Sequence, residues 1–282
     1  MPRPESTARR RAEASGVAPE MSLPQARRWL APVKLRGLRL ATQFLTRVPV
    51  PAVEDFSAEE FSRSSAWFPF VGLGIGVVVS VIIFVCAHRN ATVAAALGLL
   101  AWVWLTGALH LDGLADLSDA LAAAHRDTQK FFVVLADPHL GAFGVVSIVL
   151  MLILKVTGLT QLSVPTLLAF PLIPAWARLG PLAWSRWLSS LKPGQGERFA
   201  WHLNVGWIVF WVIILLGASV TLAPILCVAP LVIAAWAGWL KWRLGGTTGD
   251  CLGAGVEITE AVLLYALVFS PEISLVGAYT HA

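Results

Sequence analysis

Long apolar segments, separated by short polar ones, dominate the pattern of this chain. Since about 20 apolar residues cross the hydrocarbon layer as one helix, a run of 38 residues is long enough for two spans, and Pro224 marks the turn between them. A mean hydropathy of +0.71 agrees with a membrane protein and not with a soluble domain. The runs without Lys, Arg, Asp or Glu are residues 68–87, 93–109, 140–154, 156–177 and 203–240.

These runs predict an all-α, polytopic transmembrane helical bundle with about seven spans, six and eight being the nearest alternatives. Before the first span, apolar positions at helical spacing with basic residues between them predict an amphipathic helix at the membrane interface, over residues 34–51. We expect residues 1–33 to be a basic, disordered tail and residues 34–282 to form a single membrane-embedded domain. The predicted spans are residues 68–87, 93–109, 139–155, 165–185, 204–222, 225–240 and 251–270.

Basic residues are concentrated at the N-terminus. Ten of the 21 Lys and Arg lie within residues 1–47, which contain three acidic residues. The positive-inside rule therefore predicts a cytoplasmic N-terminus, and attraction to anionic lipid explains the tail better than binding of nucleic acid. Threading the seven spans from there puts the polar motifs on the cytoplasmic side and leaves Arg89 and Lys155 on the other.

An acidic stretch follows the second predicted span. In "HLDGLADLSDAL" (110–121), Asp112, Asp116 and Asp119 are separated by four and three residues, so that on a helix their carboxylates fall within roughly 40° of one another. Because like charges repel more strongly beside a low-dielectric layer, these residues require a neutralising partner. The alternative is a set of water-facing carboxylates, with Asp112 capping a helix.

A second acidic stretch opens the last predicted span, in residues 244–269. Asp250 and Glu257 are seven residues apart and so lie on nearly the same helix face, with Gly253 between them. Ionisable residues inside a span are costly and usually mark a functional site. Glu260 lies off this face, and we expect it at the membrane interface.

Carboxylates on two spans suit a hard divalent cation such as Mg²⁺, which takes oxygen ligands from protein carboxylates, phosphates and water. Three cysteines without paired spacing, at positions 86, 227 and 251, offer neither a disulfide nor a zinc site. The loop "GGTTGD" (245–250) and the segment "ADPHLGAFG" (136–144) bring glycines to helix starts, where backbone N–H groups can approach phosphate.

Four segments together resemble the cobalamin synthase family, adenosylcobinamide-GDP ribazoletransferase. The resemblance implies a Mg²⁺-dependent enzyme of the bacterial inner membrane that transfers the cobinamide phosphate of adenosylcobinamide-GDP to α-ribazole, or to its 5′-phosphate, and releases GMP. Its partners would be these small molecules and membrane lipid, and the resemblance leaves open whether the chain forms a homo-oligomer. The segments are "FLTRVPVP" (44–51), "HLDGLADLSDAL" (110–121), "DPHLGAFG" (137–144) and "LGGTTGDCLGAGVEITE" (244–260).

The resemblance also implies roles for individual residues. The metal ligands would be Asp112, Asp116, Asp119, Asp250 and Glu257, and the four aspartates would also be catalytic. The substrate-binding residues would be Arg47, His110, Asp137, His139, Arg178, Gly246 and Thr248. The chain departs from the family pattern at Ala120, where Gly usually stands, and at Pro138 and His139, where Ser and Arg usually follow the Asp.

Two other functions remain as alternatives. A CDP-alcohol phosphotransferase also uses spaced aspartates on membrane helices, but its pattern requires an Ala-Arg pair where this chain has Asp116. A transporter could line a cation or proton pathway with carboxylates. A transporter would be expected to carry its charged side chains near mid-membrane on several spans. Here most of the carboxylates lie at the ends of spans on one side of the membrane.

Overall fold

The structure is a computed structural model, and it describes residues 33–88, 90–124, 127–192 and 204–270. The predicted tail, apart from Val33, and Arg89 lie outside these residues. Within the described residues the chain is helical and forms no β-strand. One isolated β-bridge pairs Ser190 with Thr247. The helices are α1 (Val33–Leu45), α2 (Ala58–Ser64), α3 (Phe68–Ala87), α4 (Ala91–Thr106), α5 (Leu109–Ala124), α6 (Thr128–Val134), α7 (Ala142–Leu159), α8 (Val164–Ala169), α9 (Leu172–Trp187), α10 (Val205–Leu222), α11 (Ala229–Leu244) and α12 (Gly249–Val268).

The all-α, polytopic fold is confirmed. In the described part of the chain, six segments are long and apolar enough to cross a membrane, and α4 with α5 makes a seventh if this bent pair is one broken span. The six segments are Ala58–Ala87, Ala142–Leu159, Val164–Trp187, Val205–Leu222, Pro224–Leu244 and Gly249–Val268.

A sharp bend separates α4 from α5. The two helix axes differ by 85°, and the turn uses left-handed backbone at Gly107 and Ala108, with φ of 60° and 59°. The side chain of Arg47 lies directly against Gly107, so that a Cβ atom there would overlap with it. The predicted span 93–109 therefore ends at Thr106, and the acidic stretch leaves its direction.

The helix predicted over residues 34–51 ends earlier, at Leu45. Leu40, Ala41 and Leu45 are buried in the protein core, so that the apolar face of α1 packs partly against protein. The chain after α1 is anchored by Arg39, whose guanidinium donates to the carbonyl of Pro51 at 2.6 Å, and by Arg47, whose backbone N–H donates to the carbonyl of Leu105 at 2.7 Å.

The last helix, α12, is the centre of the bundle. It packs against α5, α7, α9 and α11, and most of its residues are buried. A second set of contacts joins α3 to α4 and α9. Because α12 has protein on nearly every side, its polar side chains face other helices and not lipid.

Candidate active site

The two acidic helices, α5 and α12, cross with their backbones in contact. A Cβ atom at Gly113 would lie 2.9 Å from the carbonyl oxygen of Asp250, and one at Gly253 would lie 3.4 Å from the Cα of His110. The two acidic stretches therefore meet, and Gly253 lies at their crossing. Gly113 was missed, although its position one residue after Asp112 could have suggested a close approach.

The aspartates of the two helices gather at this crossing. Asp116 and Asp250 are half-buried, Asp112 is exposed, and the negative charges of Asp112 and Asp250 both act on Asp116. The positive charge of Lys192 acts on Asp116 and on Asp250. We call Asp112, Asp116 and Asp250 the acidic mouth.

The start of α12 is held by side-chain and backbone packing. Thr248 is buried and caps the helix, since its hydroxyl accepts a hydrogen bond from the N–H of Cys251 at 3.3 Å. Gly246 packs tightly against the preceding loop, where a Cβ atom would lie 2.5 Å from the carbonyl oxygen of Ser189. Thr248 also donates its hydroxyl to Asp250 at 3.5 Å. Both residues were predicted to bind substrate, which stays a prediction.

Asp119 lies further along α5 and contacts another helix. Its two carboxylate oxygens accept hydrogen bonds from the N–H groups of Gly141 and Gly144, at 2.8 and 2.9 Å. The N–H groups at the start of a helix have no partner within that helix, so Asp119 caps α7 from a neighbouring helix. Its negative charge is also stabilised by the positive end of the dipole of α7.

Asp137 and His139 form a polar turn just before α7. The carboxylate of Asp137 accepts from the backbone N–H of His139 at 3.0 Å and lies 2.6 Å from its Nδ1. These hydrogen bonds hold the pKa of Asp137 below its usual range. Both side chains are exposed, and they remain available to a ligand.

A buried network of ion pairs lies deeper along α12. The ammonium of Lys155 lies 2.6 Å from Glu257 and 2.5 Å from Glu260, and Arg178 pairs with the other oxygen of Glu260. All four side chains are at most 5% exposed. The two positive and two negative charges balance, as the interior of a membrane protein requires.

This network corrects two expectations and bears on a third. Glu260 is wrong as an interfacial residue, because it is completely buried between two cations. Lys155 is wrong as a residue of an outer loop, because α7 continues to Leu159 and carries it into the core, over the ring of Trp102. Arg178 pairs with Glu260 and lies near the carbonyl of Pro174, while its Nε and Nη2 have no hydrogen-bond partner among the described residues, so that substrate binding by Arg178 stays a prediction.

Two further predicted site residues bear on this network, of which Glu257 belongs to it and His110 lies beside it. Glu257 was predicted with the metal ligands, and the structure pairs it with Lys155 instead. His110 is buried at the crossing of α5 and α12, close enough to Lys155 and Arg178 for their charges to act on it, and its Nδ1 has no hydrogen-bond partner. His110 therefore lies at the helix crossing within range of the charges of the buried network.

A ready-made metal centre is absent from the part of the chain that the structure describes, where no three His, Cys, Asp or Glu side chains are grouped as ligands. Mg²⁺ commonly takes one or two protein carboxylates and completes its octahedron with phosphate and water. The half-buried, mutually repelling carboxylates of the acidic mouth are of this kind, so the residues present fit such an ion.

The comparisons with known proteins decide the family. Residues 37–268 match the family model described as cobalamin-5-phosphate synthase. The chain belongs to this family. No solved structure matches it.

Curated relatives named adenosylcobinamide-GDP ribazoletransferase agree with this assignment. The chain is 45% identical over 234 residues to that of Thiobacillus denitrificans, covering 82% of this chain and 94% of the relative. It is 43% identical over 246 residues to that of Laribacter hongkongensis, covering 86% and 100%. The relative from Pseudomonas aeruginosa is 37% identical over 239 residues, covering 83% and 98%.

Proposed function

We propose that this chain joins adenosylcobinamide-GDP to α-ribazole, or to its 5′-phosphate, at the acidic mouth. The ribazole hydroxyl attacks the phosphorus on the cobinamide side of the pyrophosphate, the bond from that phosphorus to the bridging oxygen breaks, and GMP leaves. The product is adenosylcobalamin or its 5′-phosphate. Membership of the cobalamin-5-phosphate synthase family carries this proposal, together with the relatives' name.

The acidic mouth supports the location that we propose for the reaction. Asp112, Asp116 and Asp250 come from two helices whose backbones touch, and their charges repel one another. Such a cluster is unfavourable without a cation, and phosphoryl transfer requires positive charge beside the pyrophosphate. We infer that these three aspartates hold Mg²⁺, which when bound would neutralise charge on the phosphate oxygens.

The chain's own residues have two further tasks in this proposal. One aspartate of the mouth accepts the proton that the ribazole hydroxyl loses. The turn of Asp137 and His139 and the exposed side chain of Arg47 are polar groups for orienting the substrates, whose alignment supplies much of the rate in such reactions. Asp119 and Glu257, which contact α7 and Lys155 respectively, act as positioning residues rather than ligands in this proposal.

We further propose that the acidic mouth opens to the cytoplasm of a bacterial inner membrane. The excess of Lys and Arg in residues 1–47 supports a cytoplasmic N-terminus. With seven crossings, counting α4 and α5 as one, α12 begins on the same side as the N-terminus. Nucleotide substrates are then available to the mouth without crossing the bilayer.

The test uses the full chain, purified in nanodiscs, with Mg²⁺, adenosylcobinamide-GDP and α-ribazole. We expect stoichiometric release of GMP and formation of a complete corrinoid, both lost when EDTA removes the metal. GMP release without a joined corrinoid would indicate hydrolysis and contradict the proposal. Cation flux in liposomes without any nucleotide would support the transporter instead.

A further inference from the structure

A short segment after α9 runs beside the start of α12. The N–H of Leu191 donates to the carbonyl of Thr247 at 2.9 Å, and the N–H of Thr247 donates to the carbonyl of Ser189 at 2.9 Å. Gly246 lets the two backbones approach closely, because a Cβ atom there would lie 2.5 Å from the oxygen of Ser189. Residues 189–192 are thus fixed against the loop that leads to Asp250.

This pairing determines where Lys192 lies. It follows Leu191 directly, and Asp250 follows Thr247 by three residues, so that both residues lie near the start of α12. The positive charge of Lys192 acts on Asp250 and on Asp116. A cation therefore stands beside the acidic mouth, contributed by a segment that the family resemblance did not include.

Lys192 is not used to hold the described structure together. Its side chain is exposed and makes no ion pair with any residue that the structure describes. The segment is instead held by backbone hydrogen bonds and by Ser190, whose hydroxyl donates to the carbonyl of Lys192 at 2.9 Å. The backbone of Lys192 is thus held in place, while its exposed side chain has no ion-pair partner among the described residues.

We infer that Lys192 binds the pyrophosphate of the nucleotide substrate, across the acidic mouth from Asp116 and Asp250. This inference rests on the proposed function. A lysine suits the role, because its ammonium is a compact charge with three donors and a flexible stem. The mouth would then offer phosphate oxygens a cationic side chain on one side and the metal-binding carboxylates on the other, which is the usual composition of a phosphoryl-transfer site.

The test compares Lys192→Ala and Lys192→Arg with the parent in nanodiscs. Binding of adenosylcobinamide-GDP is measured by calorimetry without α-ribazole, so that no turnover occurs, and KM and kcat are measured with it. We expect Lys192→Ala to weaken binding and raise KM by about ten- to hundredfold, the loss typical of a hydrogen bond to a charged group. Lys192→Arg should restore most of the affinity.

Lys241→Ala is the matched control. Lys241 is also an exposed lysine, in the last turn of α11, and its backbone carbonyl accepts a hydrogen bond from the N–H of Gly245. Equal affinities for Lys192→Ala, Lys241→Ala and the parent would overturn the inference while leaving the proposed function intact. Loss of thermal stability in Lys192→Ala without rescue by Lys192→Arg would also overturn it, because it would assign Lys192 a structural role. If the parent protein releases no GMP, the proposed function is overturned as well.

Discussion

Gly113 of α5 faces the backbone of Asp250 in α12 at a distance that leaves no room for a side chain. The two helices can bring their carboxylates together only because this position carries a hydrogen atom in place of a Cβ. The geometry of the acidic mouth therefore depends on a residue without functional groups.

The first prediction concerns this contact. Gly113→Ala would place its Cβ 2.9 Å from the oxygen of Asp250 and force α5 and α12 apart. We expect GMP release to fall at least tenfold, since small displacements of catalytic groups have large effects on rate. Gly238→Ala is the control, because nothing lies within 4 Å of its new Cβ. Equal activity of the two variants would show that the crossing tolerates separation.

The second prediction concerns the acidic mouth. We expect Asp116→Ala to lower turnover by about a hundredfold or more at saturating Mg²⁺, as for the loss of a group that stabilises transition-state charge. Thermal stability should not fall, because removal of one carboxylate relieves repulsion from Asp112 and Asp250. The exposed Glu54→Ala serves as the control for loss of a carboxylate. Turnover within threefold of the parent would exclude Asp116 as a ligand.

The third prediction separates Asp119 from the other aspartates. Asp119→Ala leaves the N–H groups of Gly141 and Gly144 without their partner, and should cost about 1 kcal/mol, as the loss of a helix cap does. We expect a lower melting temperature, with partial recovery in Asp119→Asn, which keeps one acceptor oxygen. Inactivity of Asp119→Ala at unchanged stability would instead identify Asp119 as a metal ligand.

The fourth prediction concerns the buried ion pairs. Lys155→Met leaves Glu257 and Glu260 with one cation between them, and should destabilise the protein by about 3–5 kcal/mol. The double variant Lys155→Met/Glu257→Gln restores charge balance and should recover much of the melting temperature. If the double variant is no more stable than Lys155→Met alone, the pairing is not the source of the effect.

The fifth prediction tests orientation. A reporter fused after Leu121 or after Gly245 should be cytoplasmic, and one fused after Ala282 should lie on the opposite side. The reason is the charge asymmetry of the loops, which fixes the N-terminus inside. A cytoplasmic reporter after Ala282 would mean six spans or eight.

The sequence was sufficient for most of the helices and for the two acidic stretches taken singly, because both depend on local patterns. The spacing of Asp112 and Asp116 places them on one helix face, and the start of α12 at Gly249 agrees with the Gly/Thr-rich turn before it. The bend at Gly107 was not predictable, since a glycine inside an apolar run is compatible with a straight span.

Glu260 shows why the rest could not be predicted. It lies about 80° around the helix from Asp250. If only the face of Asp250 pointed toward protein, Glu260 would face lipid or the interface. This assumption fails because α12 packs against four helices, α5, α7, α9 and α11. The partners Lys155 and Arg178 are 105 and 82 positions earlier in the chain, beyond any local pattern.

The same sequence separation has a consequence for biogenesis. Lys155 enters the membrane with α7 while Glu257 and Glu260 have yet to be synthesised, so that the nascent chain carries an uncompensated cation in or near the hydrocarbon layer until α12 arrives. The final helix therefore supplies the counter-charges that complete membrane integration. A chain terminated before α12 would lack both glutamates and would leave Lys155 and Arg178 without counter-charges.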